Sequence, residues 1–132
     1  MKKGYLINPK KMSMTEVDIK DWTDIKKHLN CRMFACADWM IPKKSTDSLY
    51  IDDEGLLVEN DESNHCFSFY DYDPIYGRGL ILGFDPDTGE TTDRPLLPME
   101  KYADSVVFGW SAKKPEPRIE VRSFDNFEDL FK

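Results

Sequence analysis

The run Gly79-Leu80-Ile81-Leu82-Gly83-Phe84 constrains this chain more than any other stretch. It is short, apolar and bounded by glycines, which is the composition of a buried strand rather than a helix, and Gly77 and Gly79 admit a bend leading into it. A buried strand needs partners, and the flanking sequence offers them.

Gly4 to Asn8 and Met12 to Lys20 flank a Pro9-Lys10-Lys11 turn. In the second segment Met14, Glu16, Asp18 and Lys20 alternate with Thr15, Val17 and Ile19, so the pair predicts a hairpin. Cys31 to Asp38, Leu49 to Asp52 and the aromatic His65 to Tyr70 read as further strands, and Asp85-Pro86-Asp87-Thr88-Gly89 as a hairpin-like turn. Two helices interrupt them. Asp21 caps Trp22 to Leu29, whose Trp22, Ile25 and Leu29 share one face while Lys26 and Lys27 face water near the C-terminal end of the dipole. Pro98 fits a first helical turn, Met99, Tyr102, Ala103 and Val106 line one face, and Gly109 ends the second helix.

The pattern predicts an α+β fold. A mainly antiparallel β-sheet of five to seven strands carries two short helices packed on one face. Pro115-Glu116-Pro117 is the boundary, giving a single domain over residues 1–110 and a C-terminal extension over 111–132. That extension reads as a strand from Arg118 to Ser123 and a short helix opened by Asp125 with Glu128 in a capping box. A chain of 132 residues fits one core, and the 22 residues from Ser111 onward are too few for a second.

No segment approaches the ~20 apolar residues of a membrane span, and the opening MKKGYLINPKK lacks a signal-peptide core. Three cysteines, an odd count, point to reduced thiols. These features set a cytoplasmic location and no membrane partner as expectations.

Charge is unevenly laid out. Residues 1–50 carry ten Lys/Arg against six Asp/Glu, whereas residues 51–104 carry three against fourteen, a net of −11. An acidic middle repels phosphate backbones, so direct nucleic-acid binding is disfavoured.

YLINP near the start, LYIDDEGLL in the middle and GRGLILGFDPDTGE after it resemble a family of small proteins of phages, plasmids and other bacterial mobile elements, known as a domain of unknown function. The likeness covers roughly residues 4 to 110. It implies a mobile element in a bacterial cytoplasm as the setting and transfers no active site.

Spacing bears on several chemistries. Asp52, Asp53 and Glu54 stand where a strand meets Gly55, so a solvated turn explains them; a Mg²⁺ site would need Asp71 or Asp73 to join them. Asp85 to Glu90 lacks the register of a calcium loop. For zinc, His28, Cys31, Cys36, His65 and Cys66 are available, but a strand from Cys31 to Cys36 sends those two side chains to opposite faces, and alternation also parts His65 from Cys66; His28, Cys31 and one of the later pair stay open as a set, without Cys-x₂-Cys spacing. No oxyanion donor or acidic orienter accompanies a thiol nucleophile. Gly77-Arg78-Gly79 lacks the Gly-Lys-Ser/Thr of a phosphate loop. No catalytic residue, metal ligand or cofactor is therefore assigned.

The binding residues expected are Asp52, Asp53, Glu54, Tyr70, Asp71, Tyr72, Asp73 and Arg78. Tyrosines among carboxylates suit a protein partner, and the expected function is that of a non-enzymatic accessory protein with an acidic binding surface, in one version an inhibitor that mimics nucleic acid. Two alternatives are a small-ligand or nucleotide-binding module, with Arg78 and a tyrosine clamping phosphate and base, and a metal-dependent hydrolase using clustered carboxylates.

Overall fold

A computed structural model of the chain describes residues 2–38, 41, 45–53, 64–69 and 74–110. Among these the elements run β1 (Lys2–Asn8), β2 (Ser13–Ile19), α1 (Trp22–Leu29), β3 (Phe34–Cys36), β4 (Ser48–Asp52), β5 (His65–Phe69), β6 (Ile75–Tyr76), β7 (Gly79–Leu82), β8 (Phe84–Asp85), β9 (Glu90–Thr91), α2 (Met99–Ala103) and β10 (Val106–Trp110). The fold is α+β and mainly antiparallel, with two short helices, as the sequence predicts.

The apolar run becomes β7, the middle strand of a five-stranded sheet of order β2-β1-β7-β4-β3. All four of its residues are buried. Alternation divides them between two cores. On one face Ile81 stands opposite Tyr5 and Leu49 and packs with Ile7, Phe67, Phe69 and Tyr102. On the other, Leu80 and Leu82 pack with Ile19 and with Ile25 and Leu29 of α1.

The first of these cores is closed by a second sheet of order β10-β5-β6. Phe67 and Phe69 of β5 are fully buried there, with Ile75, Val106 and Phe108 packed around them. The layers are thus α1, the five-stranded sheet, and the three-stranded sheet. The two helices consequently divide between the faces, with Tyr102 of α2 in the inter-sheet core and α1 on the opposite side. A face rich in aromatic strand residues on both sides is filled by sheet-on-sheet packing, where the sequence pattern predicts a layer of both helices.

Local signals explain the elements that matched. The Asp21 side chain accepts from the Thr23 N–H at 2.9 Å and so caps α1. At the other end Asn30 takes a left-handed conformation, φ 52°, and the N–H groups of Asn30 and Cys31 return to the carbonyls of Lys27 and Lys26, which closes the helix in the manner of a Schellman turn. Cys31 therefore belongs to the helix terminus, and the strand expected from Cys31 to Asp38 contracts to Phe34–Cys36. Strand alternation says nothing about Cys31.

Two further expectations change. Val106 and Gly109 lie in β10, not on the second helix, which stops at Ala103 with Asp104 as its C-cap. The β-branched pair Val106-Val107 followed by Phe108 favours a strand, and its pairing with β5 decides the matter over an accidental helical spacing. Trp22 does not share the buried face of Ile25 and Leu29; it is 61% exposed. The extension after Trp110 lies outside the described residues.

Close packing around β7 relies on two glycines. A Cβ on Gly79 would lie 2.5 Å from the Phe67 ring, and one on Gly83 would lie 2.2 Å from the Arg94 carbonyl oxygen. The first would wedge the two sheets apart, and the second would push the backbone that crosses behind β7. Gly79→Ala and Gly83→Ala are each expected to lower the unfolding free energy by about 1–3 kcal/mol, read from urea denaturation midpoints; unchanged midpoints would refute this account of the layer contact.

Candidate functional site

Three of the expected binding residues are described. Asp52 ends β4 opposite Phe34 of β3 and is half-buried. Asp53 follows in a turn, exposed, with its N–H held by the Met33 carbonyl at 3.0 Å. Arg78 precedes β7 and is half-buried. Because Ile51 stands opposite Gly79, the register carried one residue further sets Asp52 opposite Arg78. The two therefore meet at one end of the central sheet. Glu54, Tyr70, Asp71, Tyr72 and Asp73 lie outside the described residues.

Arg78 is tied to α1. Its Nη1 donates to the His28 carbonyl at 3.1 Å, in the last turn of the helix, where unsatisfied carbonyls and the dipole favour a cation. One guanidinium N–H is thus committed to joining β7 to the helix layer. A phosphate clamp built on Arg78 would have only its remaining donors.

The thiols and imidazoles are dispersed in character. Cys36 is exposed on β3, Cys31 half-buried after α1, and Cys66 buried on β5. Desolvation, and secondarily the Asp38 carboxylate, push the Cys36 thiol above its ordinary value; burial does the same for Cys66. Both shifts reduce the thiolate fraction that a nucleophile or metal ligand needs. Among the described residues no three His, Cys, Asp or Glu side chains gather as a metal site. The Asp85 to Gly89 segment is the hairpin turn the sequence predicts, joining β8 to β9, with Asp85 Oδ1 accepting from the Asp87 N–H at 2.9 Å.

The sequence reading missed a polar knot at Asp47. This carboxylate is 3% exposed. Its Oδ1 accepts from the Leu96 N–H at 2.6 Å, and its Oδ2 accepts from the Leu97 N–H at 3.3 Å and the Tyr102 hydroxyl at 2.5 Å. Ser45 Oγ lies 3.0 Å from the same hydroxyl and accepts from the Asp47 N–H, while the Tyr5 hydroxyl donates to the Leu97 carbonyl at 2.9 Å. Burial first, and the hydrogen-bonded Asp47 second, raise the Tyr102 phenol well above 10.0. Burial and the Asp47 charge raise Tyr5 as well.

Three donors on one buried carboxylate make an anchor rather than a base. The knot fastens residues 96–103 to the start of β4 and gives two successive backbone N–H groups a charged acceptor. A fully buried tyrosine hydroxyl must find a partner, so Tyr102 was the available signal. Nothing local marks Asp47 as that partner, 55 residues away.

The described residues define an α+β domain of two packed antiparallel sheets with a separate two-stranded β8-β9 ribbon. The chain belongs to the family described as Domain of unknown function (DUF3846), whose profile matches residues 1–106. No curated protein and no solved structure matches it.

Removing the anchor carboxylate leaves its donors unsatisfied. Asp47→Ala is expected to lower the unfolding free energy by about 2–4 kcal/mol and Tyr102→Phe by about 1–2 kcal/mol. The double variant should lose less than the sum, and strict additivity in urea denaturation would rule out the shared bond. Alkaline pH gives an independent check. A phenol whose folded pKa is raised contributes its stabilisation fully below the unfolded value, 10.0 for Tyr102, and loses it as pH climbs toward the raised value. Stability should therefore fall above that pH, and the fall should be shallower in Tyr102→Phe.

Proposed function

We propose that this protein is a non-enzymatic accessory protein of a phage or other mobile element, acting in the bacterial cytoplasm by binding a protein partner through its acidic central region. The observation that carries the reading is the layout of charge. Residues 51–104 hold fourteen carboxylates and three cations. Of the eight carboxylates described there, Asp53, Asp87, Glu90, Asp93, Glu100 and Asp104 are exposed. Of the three cations, Arg94 pairs with Glu16 of β2 at 3.4 Å, and Arg78, opposite Asp52 in the sheet register, donates to the His28 carbonyl of α1.

An excess of exposed carboxylates over cations generates a negative field that a basic surface would meet favourably. Such a field steers association and sets partner choice more than it adds affinity. Asp52 and Asp53, with the tyrosines and acids of residues 70–73, are the residues proposed to make contact. A basic nucleic-acid-binding surface of a host protein is the partner this chemistry fits, with the acidic region taking the place of phosphates.

The test is capture of partners from a bacterial lysate by the wild-type protein and by a variant with Asp52, Asp53, Glu54, Asp71 and Asp73 each changed to Lys. Wild-type retention should fall about tenfold between roughly 50 and 300 mM salt, compete with added DNA, and vanish in the charge-reversed variant. Retention that ignores both salt and charge reversal would refute the proposal. A nucleotide or divalent ion co-purifying with the chain would shift the assignment to the ligand-binding or hydrolase alternative.

A further inference from the structure

The outer side of β10 lacks the protection that the other sheet margins have. β10 is an end strand in the order β10-β5-β6, and among the described residues no strand pairs with its far side. Of the other end strands in the two large sheets, β3 is three residues long, β6 is two, and β2 carries Glu16 and Asp18. Shortness and charge are devices that keep an edge from pairing. β10 has neither. Its five residues, Val106-Val107-Phe108-Gly109-Trp110, hold no charge and no proline, and Val107 and Trp110 are 58% and 57% exposed. Val106 and Phe108 pack on the inter-sheet core while only partly buried, so an apolar margin runs along this edge.

The chain itself supplies a segment that fits. In residues 118–123 apolar and polar alternate, with Ile119 and Val121 on one face of an extended segment and Arg118, Glu120 and Arg122 on the other. The seven residues 111–117 that join it to Trp110 are ample to reverse direction across the ~4.8 Å between paired strands. Pro115 and Pro117 lack the N–H that a ladder needs, which suits them to this connection. So short a tether holds the segment near the edge at an effective concentration of roughly millimolar, which favours it over a second copy. Charge agrees. Residues 111–122 carry Lys113, Lys114, Arg118 and Arg122 against Glu116 and Glu120, a net of +2, on a chain whose residues 51–104 carry a net of −11.

We propose that residues 118–123 add to the outer edge of β10 as an antiparallel strand of the same chain, extending the second sheet to four strands. Val106 and Phe108 lie on the core side of β10, and alternation sets Trp110 with them. Ile119 and Val121 therefore face that side, and the charged residues face outward. Ile119 opposite Trp110 and Val121 opposite Phe108 satisfies this. A slip of one residue would turn both aliphatic groups outward, and a slip that set Ile119 opposite Phe108 would bring Pro117 into the ladder opposite Trp110. In the register proposed, Arg122 stands opposite Val107, and its aliphatic stem covers that valine. An edge so occupied is closed to strand addition by other chains. None of the acidic contact residues takes part, so this proposal and the proposed function stand or fall independently.

Nuclear magnetic resonance on the isotope-labelled full chain tests the assignment. Cross-strand Overhauser contacts should join Trp110 to Ile119 and Phe108 to Val121 within one molecule. The β10 amides that do not bond to β5 should exchange with solvent at least about tenfold more slowly than in a variant carrying Ile119→Asp and Val121→Asp, whereas amides of β1 and β7 should exchange alike in both. Equal exchange of the outward β10 amides in the two proteins would overturn the proposal. So would the absence of those contacts in a spectrum that shows the β1–β7 ladder, or their appearance only between differently labelled copies, which would give the edge to a second molecule.

Discussion

The structure depends on β7 being apolar on both faces. A strand with leucines on one side and an isoleucine between glycines on the other cannot sit in a sheet with one wet face, because either exposure would leave large aliphatic groups in water. Its demand for cover is met by α1 over Leu80 and Leu82 and by the phenylalanines of β5 over Ile81. Gly79 lets the second sheet come close, since the Phe67 ring occupies the space a side chain would take. The position of β7 between β1 and β4 then brings Asp52 and Arg78 to the same end of the sheet.

Polar interactions add specificity to that apolar frame. Apolar packing alone would tolerate residues 93–103 in several registers over the inter-sheet core, whereas the Asp47 carboxylate accepts from two successive backbone N–H groups and one phenol. Those donors coincide in only one placement of the segment. The arrangement also explains why a carboxylate is acceptable inside: hydrogen bonds to the charged form replace the water it gave up. Arg78 makes the corresponding link on the other face, joining the entry of β7 to the end of α1.

How much of this was legible in the sequence follows from the range of each interaction. The Asp21 cap, the β1–β2 hairpin, the β8–β9 turn and the buried character of β7 are written within a few residues of where they act. The division of helices between faces was not legible, because it depends on β5 and β10 forming their own sheet. Val106 misled for a specific reason: Met99, Tyr102 and Val106 keep helical spacing by coincidence, while the strand preference of Val106-Val107-Phe108 is realised only against β5. Within the candidate site, the nearness of Asp52 and Arg78 followed from no motif, only from register, and the Asp47–Tyr102 bond spans too much chain for any local pattern to reveal.

Charge gives the remaining step. A fold needs its exterior solvated, and either sign of charge serves that purpose, so segregation of sign along the chain is not required by folding. Here the basic residues gather in the first part and the acids in the middle, while individual bonds draw selectively across that division. Glu16 takes Arg94 and Asp18 takes Lys3, so the carboxylates of β2 are occupied by cations beside them. Among the described residues, the α1 lysines Lys26 and Lys27 have Asp21 and Asp24 beside them, while Asp85, Asp87 and Glu90 cluster at the turn between β8 and β9. The indole of Trp22 stays exposed beside the Lys26 ammonium, while its neighbours Ile25 and Leu29 are buried against the sheet. Folding accounts for the pairs that formed; the exposed acids of the described residues are where contact with other molecules is to be sought.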